Sequence, residues 1–167
     1  MVTIVYESNS GFTKKYAELL AADIKADCFS LDEAKEKLAA GKPVVFLGWI
    51  SAGIIRGCRK ARKLFDVKAV AGVGMAAGSD KILSDLVRQN KLEGVRNFYL
   101  RGGFDLAKLK GFYKFIMKLG AAAVVKSLEK KENLTPQESE QLSDFKYGSD
   151  HVSKENLADM IAYCKSL

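Results

Sequence analysis

Five short segments with a strand pattern recur along this chain, and a helical pattern follows each of the first four. They cover residues 2–7, 27–30, 44–48, 67–73 and 95–101. Short apolar strands that alternate with helices are buried on both faces, which indicates a parallel sheet covered by helices. Because crossovers between parallel strands are right-handed, we expect an α/β fold with a doubly wound sheet.

The chain length fits one domain over residues 1–167. In such sheets ligands bind beyond the carboxyl ends of the strands, so the loops after strands one, three, four and five should hold the site. The remaining segments are predicted by hydrophobic spacing and breakers. We expect helices over 13–26, 31–40, 58–65 and 79–90, a glycine-rich loop over 49–57, and a last helix from Ser153.

The net charge of +7 is concentrated in two stretches, 56–68 and 101–131. Such patches can steer acidic proteins, anionic small molecules, nucleic acid or anionic lipid. Two solvated helix faces would give the same composition, and the charge pattern alone leaves both interpretations open.

The second basic stretch also carries a helical apolar pattern, and we interpret 103–132 as a basic amphipathic insertion after the fifth strand. It has more apolar surface than contact with a core requires. The expected inner stripe is Leu106, Leu109, Tyr113, Ile116, Met117 and Gly120. Lys110, Lys114 and Lys118 flank this stripe, and Phe112, Phe115 and Leu119 widen the apolar surface.

The loop after the first strand concentrates hydroxyl and amide side chains directly before a helix. Its residues are Ser8, Asn9, Ser10, Gly11, Phe12 and Thr13. A helix N-terminus presents free N–H groups and a partial positive charge, so these residues predict a phosphate site. The alternative is an ordinary helix cap, for which one hydroxyl would suffice. The spacing matches neither a Walker loop nor a dinucleotide-binding glycine turn.

This loop resembles the FMN phosphate loop of the flavodoxin family, which runs Ser/Thr-x-Ser/Thr-Gly-x-Thr. The resemblance covers the fold pattern through about residue 102. It implies a flavodoxin-like five-stranded parallel sheet with strand order 2-1-3-4-5. It also implies bound FMN, whose phosphate the backbone amides and hydroxyls of residues 8–13 would hold.

The resemblance assigns two further loops to the flavin ring. The loop after strand three would cover one ring face, with Trp49 stacked on it, although a buried core tryptophan is the alternative. The loop after strand four lacks the second aromatic residue usual in flavodoxins, so Met75 or nothing would cover the other face. The residues concerned are Gly48, Trp49, Ile50, Ser51, Ala52, Gly53, Gly74, Met75, Ala76 and Gly78.

The segment Tyr99-Leu100-Arg101-Gly102-Gly103-Phe104-Asp105 and the basic stretch after it resemble a narrower group. These are the flavodoxin-type menaquinone-dependent protoporphyrinogen oxidases, which carry a long basic insertion near this position. That resemblance implies a porphyrinogen substrate with propionates and a quinone acceptor. Arg101, Lys108, Lys110, Lys114 and Lys118 would then hold carboxylates or anionic lipid.

Three functions therefore stay open on the sequence. The first is an FMN-binding oxidoreductase that transfers electrons, the second is the porphyrinogen oxidase, and the third is a non-catalytic module without flavin. The flavin would carry the chemistry, since no side chain stands out as a catalytic base, and we expect no metal and no nucleic acid. As partner we expect a redox protein, a quinone or an anionic substrate. We expect a cytoplasmic protein in which residues 106–119 contact the inner face of the membrane, a partner or the protein's own core, and the sequence leaves these three open. His151 is expected on the solvated surface, and Cys28 and Cys164 are expected as core thiols. The three scattered cysteines suggest a reducing setting.

Overall fold

The computed structural model describes residues 2–109 and 111–167. The strands are β1 (Thr3–Glu7), β2 (Cys28–Ser30), β3 (Pro43–Ser51), β4 (Ile54–Ile55), β5 (Asp66–Gly74), β6 (Arg96–Arg101), β7 (Gly103–Phe104) and β8 (Ser149–Asp150). The helices are α1 (Phe12–Ile24), α2 (Leu31–Lys37), α3 (Cys58–Leu64), α4 (Asp80–Asn90), α5 (Gly111–Glu129), α6 (Pro136–Tyr147) and α7 (Ala158–Lys165). A 3₁₀ turn, Glu155–Leu157, precedes α7.

The main sheet confirms the predicted α/β architecture with a parallel sheet. Its strand order is β2-β1-β3-β5-β6, and every pair along this path is parallel. The short strand β4 pairs antiparallel with the end of β3, and β7 and β8 form a separate antiparallel pair. The carboxyl ends of the parallel strands therefore meet at one edge of the sheet.

Helices cover both faces of this sheet, as the apolar strands predict. In β3, Val45 and Leu47 pack into a core with α1 and α7, whereas Val44 and Phe46 pack into the opposite core with α2, α3 and α4. All four side chains are fully buried. The alternation follows from the two-residue period of a strand, and it explains the continuous apolar run in the sequence.

The predicted loop 49–57 is in part a β-hairpin. Strand β3 continues to Ser51, and Ile50 pairs with Ile55. The two turn residues, Ala52 and Gly53, have φ angles of 49° and 77°, which is the left-handed backbone that a two-residue hairpin turn requires. Alanine is unusual at the first of these positions, so the residues Ala52-Gly53 predict a hairpin only weakly.

The insertion differs from the predicted single helix. Helix α5 begins at Gly111, and before it the Asp105 carboxylate accepts a hydrogen bond from the Ala107 amide at 2.9 Å, which closes a turn. Leu106 and Leu109 therefore precede the helix, and Lys110 lies outside the described residues. A second helix, α6, follows where only a polar stretch was expected.

Helix α6 does have a local sequence signal. The Thr135 hydroxyl accepts from the Glu138 amide, the Glu138 carboxylate accepts from the Thr135 amide, and Pro136 opens the helix. This capping box with proline in the first turn is a known helix start. The low apolar content of the following residues hides it, because α6 has no fully buried side chain.

The insertion leaves and rejoins the sheet at one point. Gly103 pairs with Asp150 and Phe104 with Ser149, and the His151 amide donates to the Gly102 carbonyl at 2.9 Å.

None of the helices in residues 2–109 and 111–167 combines the length and the apolar character needed to cross a membrane.

Candidate functional site

A large cavity lies at the edge of the sheet where the parallel strands end. Its volume is about 810 Å³, within the range of small-molecule sites. Its walls come from the β1–α1 loop, the β3–β4 hairpin, the β5–α4 loop, one side of α4, the segment from the end of β6 to Asp105 and the first half of α5. The predicted site residues that line it are Asn9, Ser10, Phe12, Trp49, Ile50, Ser51, Ala52, Gly53, Gly74, Met75 and Ala76.

The loop between β1 and α1 presents unused hydrogen-bond donors. Gly11 precedes the first residue of α1 with a φ of 92°, which suits glycine, and no side chain among the described residues caps the first amides of the helix. The Ser8 hydroxyl accepts from the Gly11 amide at 3.2 Å. The Nδ2 atom of Asn9 is buried and has no partner among the described residues. Donors left open in this way suit an anion.

The predicted loop residues do not all face the main cavity. Asn9 lines both this cavity and a smaller one of about 370 Å³, which Ser8 and Gly11 also line. Thr13 lines neither cavity, and it is only 1% exposed in the first turn of α1. Its hydroxyl can therefore serve only a ligand that lies directly against the helix end.

The hairpin presents Trp49 to the cavity, where α5 meets it. The rings of Trp49 and Tyr113 stand edge to face, with centroids 5.0 Å apart and an interplanar angle of 88°. Trp49 is half-buried and lines the cavity, so part of its ring is accessible from there. Gly48 lies beneath the hairpin, where an added Cβ would stand 2.4 Å from the Arg56 carbonyl oxygen.

The loop after β5 rests on Tyr99. The Tyr99 hydroxyl donates to the Ala76 carbonyl at 2.7 Å, and burial raises the pKa of Tyr99 to about 12, so it stays a donor. Added Cβ atoms at Gly74 and Gly78 would stand 2.6 Å and 3.1 Å from the Tyr99 side chain. These two glycines thus let the loop approach Tyr99, and Gly78 does not line the cavity. Met75 does, and it is 37% exposed.

Arg101 is already paired with acidic side chains of α6. Its guanidinium lies 3.0 Å from the Glu140 carboxylate and 3.5 Å from Asp144, and its Nε donates to the Met75 carbonyl at 3.4 Å. Asp144 also lies 3.0 Å from Nε2 of His151. The geometry makes Arg101 a link between α6 and the cavity loop, and an outside anion would have to displace these partners.

His151 and three of the predicted lysines differ from one another in their surroundings. His151 is half-buried against Asp144, so the expected solvated position is wrong. Lys108 lies 3.2 Å from the Asp105 carboxylate and 5.5 Å from the Phe12 ring centroid. Lys114 and Lys118 are exposed on α5.

The cysteines are poorly suited to nucleophilic chemistry. Burial raises the thiol pKa of Cys28, Cys58 and Cys164 to about 11 in each case. The thiolate is the reactive form, so each is almost wholly unreactive near neutral pH. Cys164 is buried in one core, as expected, whereas Cys28 is only half-buried against that core. Cys58 is buried in the opposite core.

Arg56 and Tyr113 are among the residues of the cavity wall that sequence reasoning missed. Arg56 was counted only as part of a basic patch, yet it follows β4 and lines the cavity. Tyr113 was placed only in the apolar stripe of a predicted helix, and the structure packs it against Trp49. Arg56 and Tyr113 lie together because the hairpin and α5 converge. No local sequence pattern predicts a contact between segments so far apart in the chain.

Comparison of the chain with protein-family models gives no match. Comparison with curated proteins also gives none.

Proposed function

We propose that this protein is a flavodoxin-like oxidoreductase that binds FMN and transfers electrons through it. The observation that carries the proposal is a single cavity with two chemically different regions. The Asn9 amide and the uncapped start of α1 offer donors for a phosphate, and Trp49 and Tyr113 offer aromatic surface for a planar ring. When bound, FMN would supply redox chemistry that side chains lack.

The residues present fit FMN in charge as well as in shape. Ser10 lines the cavity next to the open amides of α1, so the anionic phosphate would be held by dipoles with little help from cations. Trp49 would contact one face of the ring. The strand order of the parallel sheet, β2-β1-β3-β5-β6, supports the flavodoxin-like assignment because its loops converge on this cavity.

The second ring face is the main departure from the family pattern. The loop after β5 offers Met75 in place of an aromatic residue, and α5 contributes Phe112 and Tyr113 to the same cavity. We propose that α5 supplies the cover that this loop lacks. Since Phe112 is 72% exposed, this cover leaves room for a second molecule beside the ring.

An absorbance spectrum of the purified protein tests the proposal directly. We expect the protein, after incubation with FMN and removal of the excess, to retain an oxidised flavin spectrum that bleaches on addition of dithionite. Riboflavin, which lacks the phosphate, is the matched control and should be retained far less. A protein that stays colourless after reconstitution would leave the non-catalytic module as the better function.

The cavity wall also favours a porphyrinogen oxidase that uses a quinone as acceptor. Phe112, Ile116 and Met117 give the cavity an apolar side, which suits a large apolar ring system. An anionic porphyrinogen would be attracted by Lys114 and Lys118 on the same helix. In this second candidate function, α5 would bind the porphyrinogen substrate.

A quinone acceptor requires access to a membrane surface, and α5 has a face suited to one. Phe115 and Leu119 are one helical turn apart and do not line the cavity, yet they are 60% and 57% exposed. Lys114 and Lys118 are their exposed neighbours. Apolar side chains with flanking lysines bind anionic bilayers at the headgroup boundary.

Liposome sedimentation measures this contact. We expect the protein to bind vesicles with anionic phospholipid and to lose most of that binding in the double variant Phe115→Ser, Leu119→Ser. Leu19→Ser, which changes an exposed leucine of α1, is the control and should bind as the unaltered protein does. If the unaltered protein ignores anionic vesicles, the membrane contact is wrong and FMN binding is unaffected.

A further inference from the structure

Arg56 lies in the cavity wall beside two aromatic rings, those of Trp49 and Tyr113. Its amide donates to the Trp49 carbonyl at 2.9 Å, which fixes the backbone at the end of the hairpin. The guanidinium carbon lies 5.8 Å from the Trp49 ring centroid and 5.5 Å from that of Tyr113. The side chain therefore has a defined position beside the residues proposed to contact the ring.

The guanidinium has hydrogen-bonding capacity that the protein leaves unused. Its Nε atom is buried and has no partner among the described residues. Its Nη2 atom makes a long contact of 3.5 Å with the Ser51 hydroxyl. A buried, unpaired N–H of a cation is costly, so a ligand that accepts from it or carries negative charge would be stabilised.

The carboxylates of the cavity do not neutralise Arg56. Among the described lining residues, Arg56 is the one cation, and the acidic ones are Asp85 and Asp105. Asp85 lies 2.8 Å from both Lys81 and Arg88, and Asp105 is paired with Lys108. The positive charge of Arg56 therefore acts mainly on whatever occupies the cavity.

We propose that Arg56 makes the cavity prefer the reduced, negatively charged form of bound FMN over the oxidised form. The proposal rests on FMN binding as proposed above. Uptake of two electrons and one proton converts the neutral oxidised ring into one with a single negative charge. A fixed cation in a largely apolar cavity stabilises that charge. The positive charge of Arg56 would thus raise the midpoint potential of the bound flavin.

The phosphate of FMN does not account for the same effect. Its charge is present in both redox forms, so a contact between Arg56 and the phosphate would change the affinity for both forms equally. The difference between the two affinities isolates the interaction with the ring. A redox titration against a reference dye reports that difference as a shift of the midpoint potential.

The test compares three variants of the full chain by FMN affinity and by midpoint potential. In Arg56→Gln we expect the preference for reduced over oxidised FMN to fall about tenfold, a potential lower by about 30 mV for a two-electron couple. Arg56→Lys keeps the charge and should retain most of the potential. Arg59→Gln, which removes an exposed arginine of α3, is the control and should leave it unchanged.

The outcomes separate this inference from FMN binding itself. An unaltered protein that binds no FMN refutes the proposed function, and the role of Arg56 with it. Suppose that FMN binds and that Arg56→Gln leaves the midpoint potential unchanged, or lowers the affinity for oxidised and reduced FMN equally. Arg56 then does not act on the ring. If Arg56→Gln does not fold, the test depends on Arg56→Lys, which keeps the positive charge. A midpoint potential in Arg56→Lys that is lower than that of the unaltered protein by about 30 mV or more also overturns the inference.

Discussion

Replacement of both Ser10 and Thr13 by alanine is expected to weaken FMN binding by at least about 100-fold. Ser10 lines the cavity, and Thr13 lies in the first turn of α1, where a phosphate would contact the open amides. Hydrogen bonds to a charged group contribute about 1.5–3 kcal/mol each, so losing two exceeds this threshold. Fluorescence titration of FMN measures the loss, because bound flavin is expected to be quenched beside Trp49.

Thr135→Ala is the matched control for this double variant. It removes a hydroxyl that caps α6, so it should cost about 1 kcal/mol of stability without changing FMN affinity. Circular dichroism should show that the double variant stays folded. Retention of FMN at unchanged affinity by the double variant would mean that the phosphate binds elsewhere.

The second large effect is expected at Gly48, which lies in β3 beneath the hairpin. An alanine Cβ there would stand 2.4 Å from the Arg56 carbonyl oxygen and 2.6 Å from Cγ2 of Ile55. Backbone cannot move aside as a side chain can, so the hairpin must shift. We expect Gly48→Ala to lower the free energy of unfolding by about 3 kcal/mol and to weaken FMN binding, because Trp49 and Arg56 move with the hairpin.

Urea denaturation measures this change, with Gly120→Ala as the control. Gly120 lies in α5 with open space around it and an ordinary backbone angle, so alanine there should raise stability by up to about 1 kcal/mol. The two substitutions are chemically identical and opposite in expected sign. Equal stability of Gly48→Ala and the unaltered protein would show that the hairpin is not held where the structure has it.

The parallel sheet and its helices were predictable because their signals are local. Apolar runs such as 44–48 indicate a strand buried on both faces, and Phe12, Tyr16 and Leu20 recur at helical spacing. The loop of residues 8–13 was predictable for the same reason, since a strand, a polar turn and a helix follow each other directly. Thr13 was expected to face a ligand, but its burial depends on packing that the motif does not encode.

The rest of the site depends on contacts between distant segments. Trp49 and Tyr113 belong to different elements, and their contact requires α5 to cross the carboxyl edge of the sheet. Arg101 illustrates the same limit, because its two acidic partners come from α6, which the sequence reading did not include. The composition of residues 103–132 predicts the charge and the apolar surface of the insertion. Which charges pair with one another depends on the tertiary fold.

The pairing of β7 with β8 joins the two ends of the insertion, so the chain between them is a closed loop. The chain leaves the sheet after Gly102 and returns to it at His151, whose amide bonds to the Gly102 carbonyl. With its two ends fastened together, a loop can gain or lose residues at a small entropic cost. Helices α5 and α6 can therefore change in length and sequence while the strands keep their order, so the cover of the cavity can diverge faster than its floor.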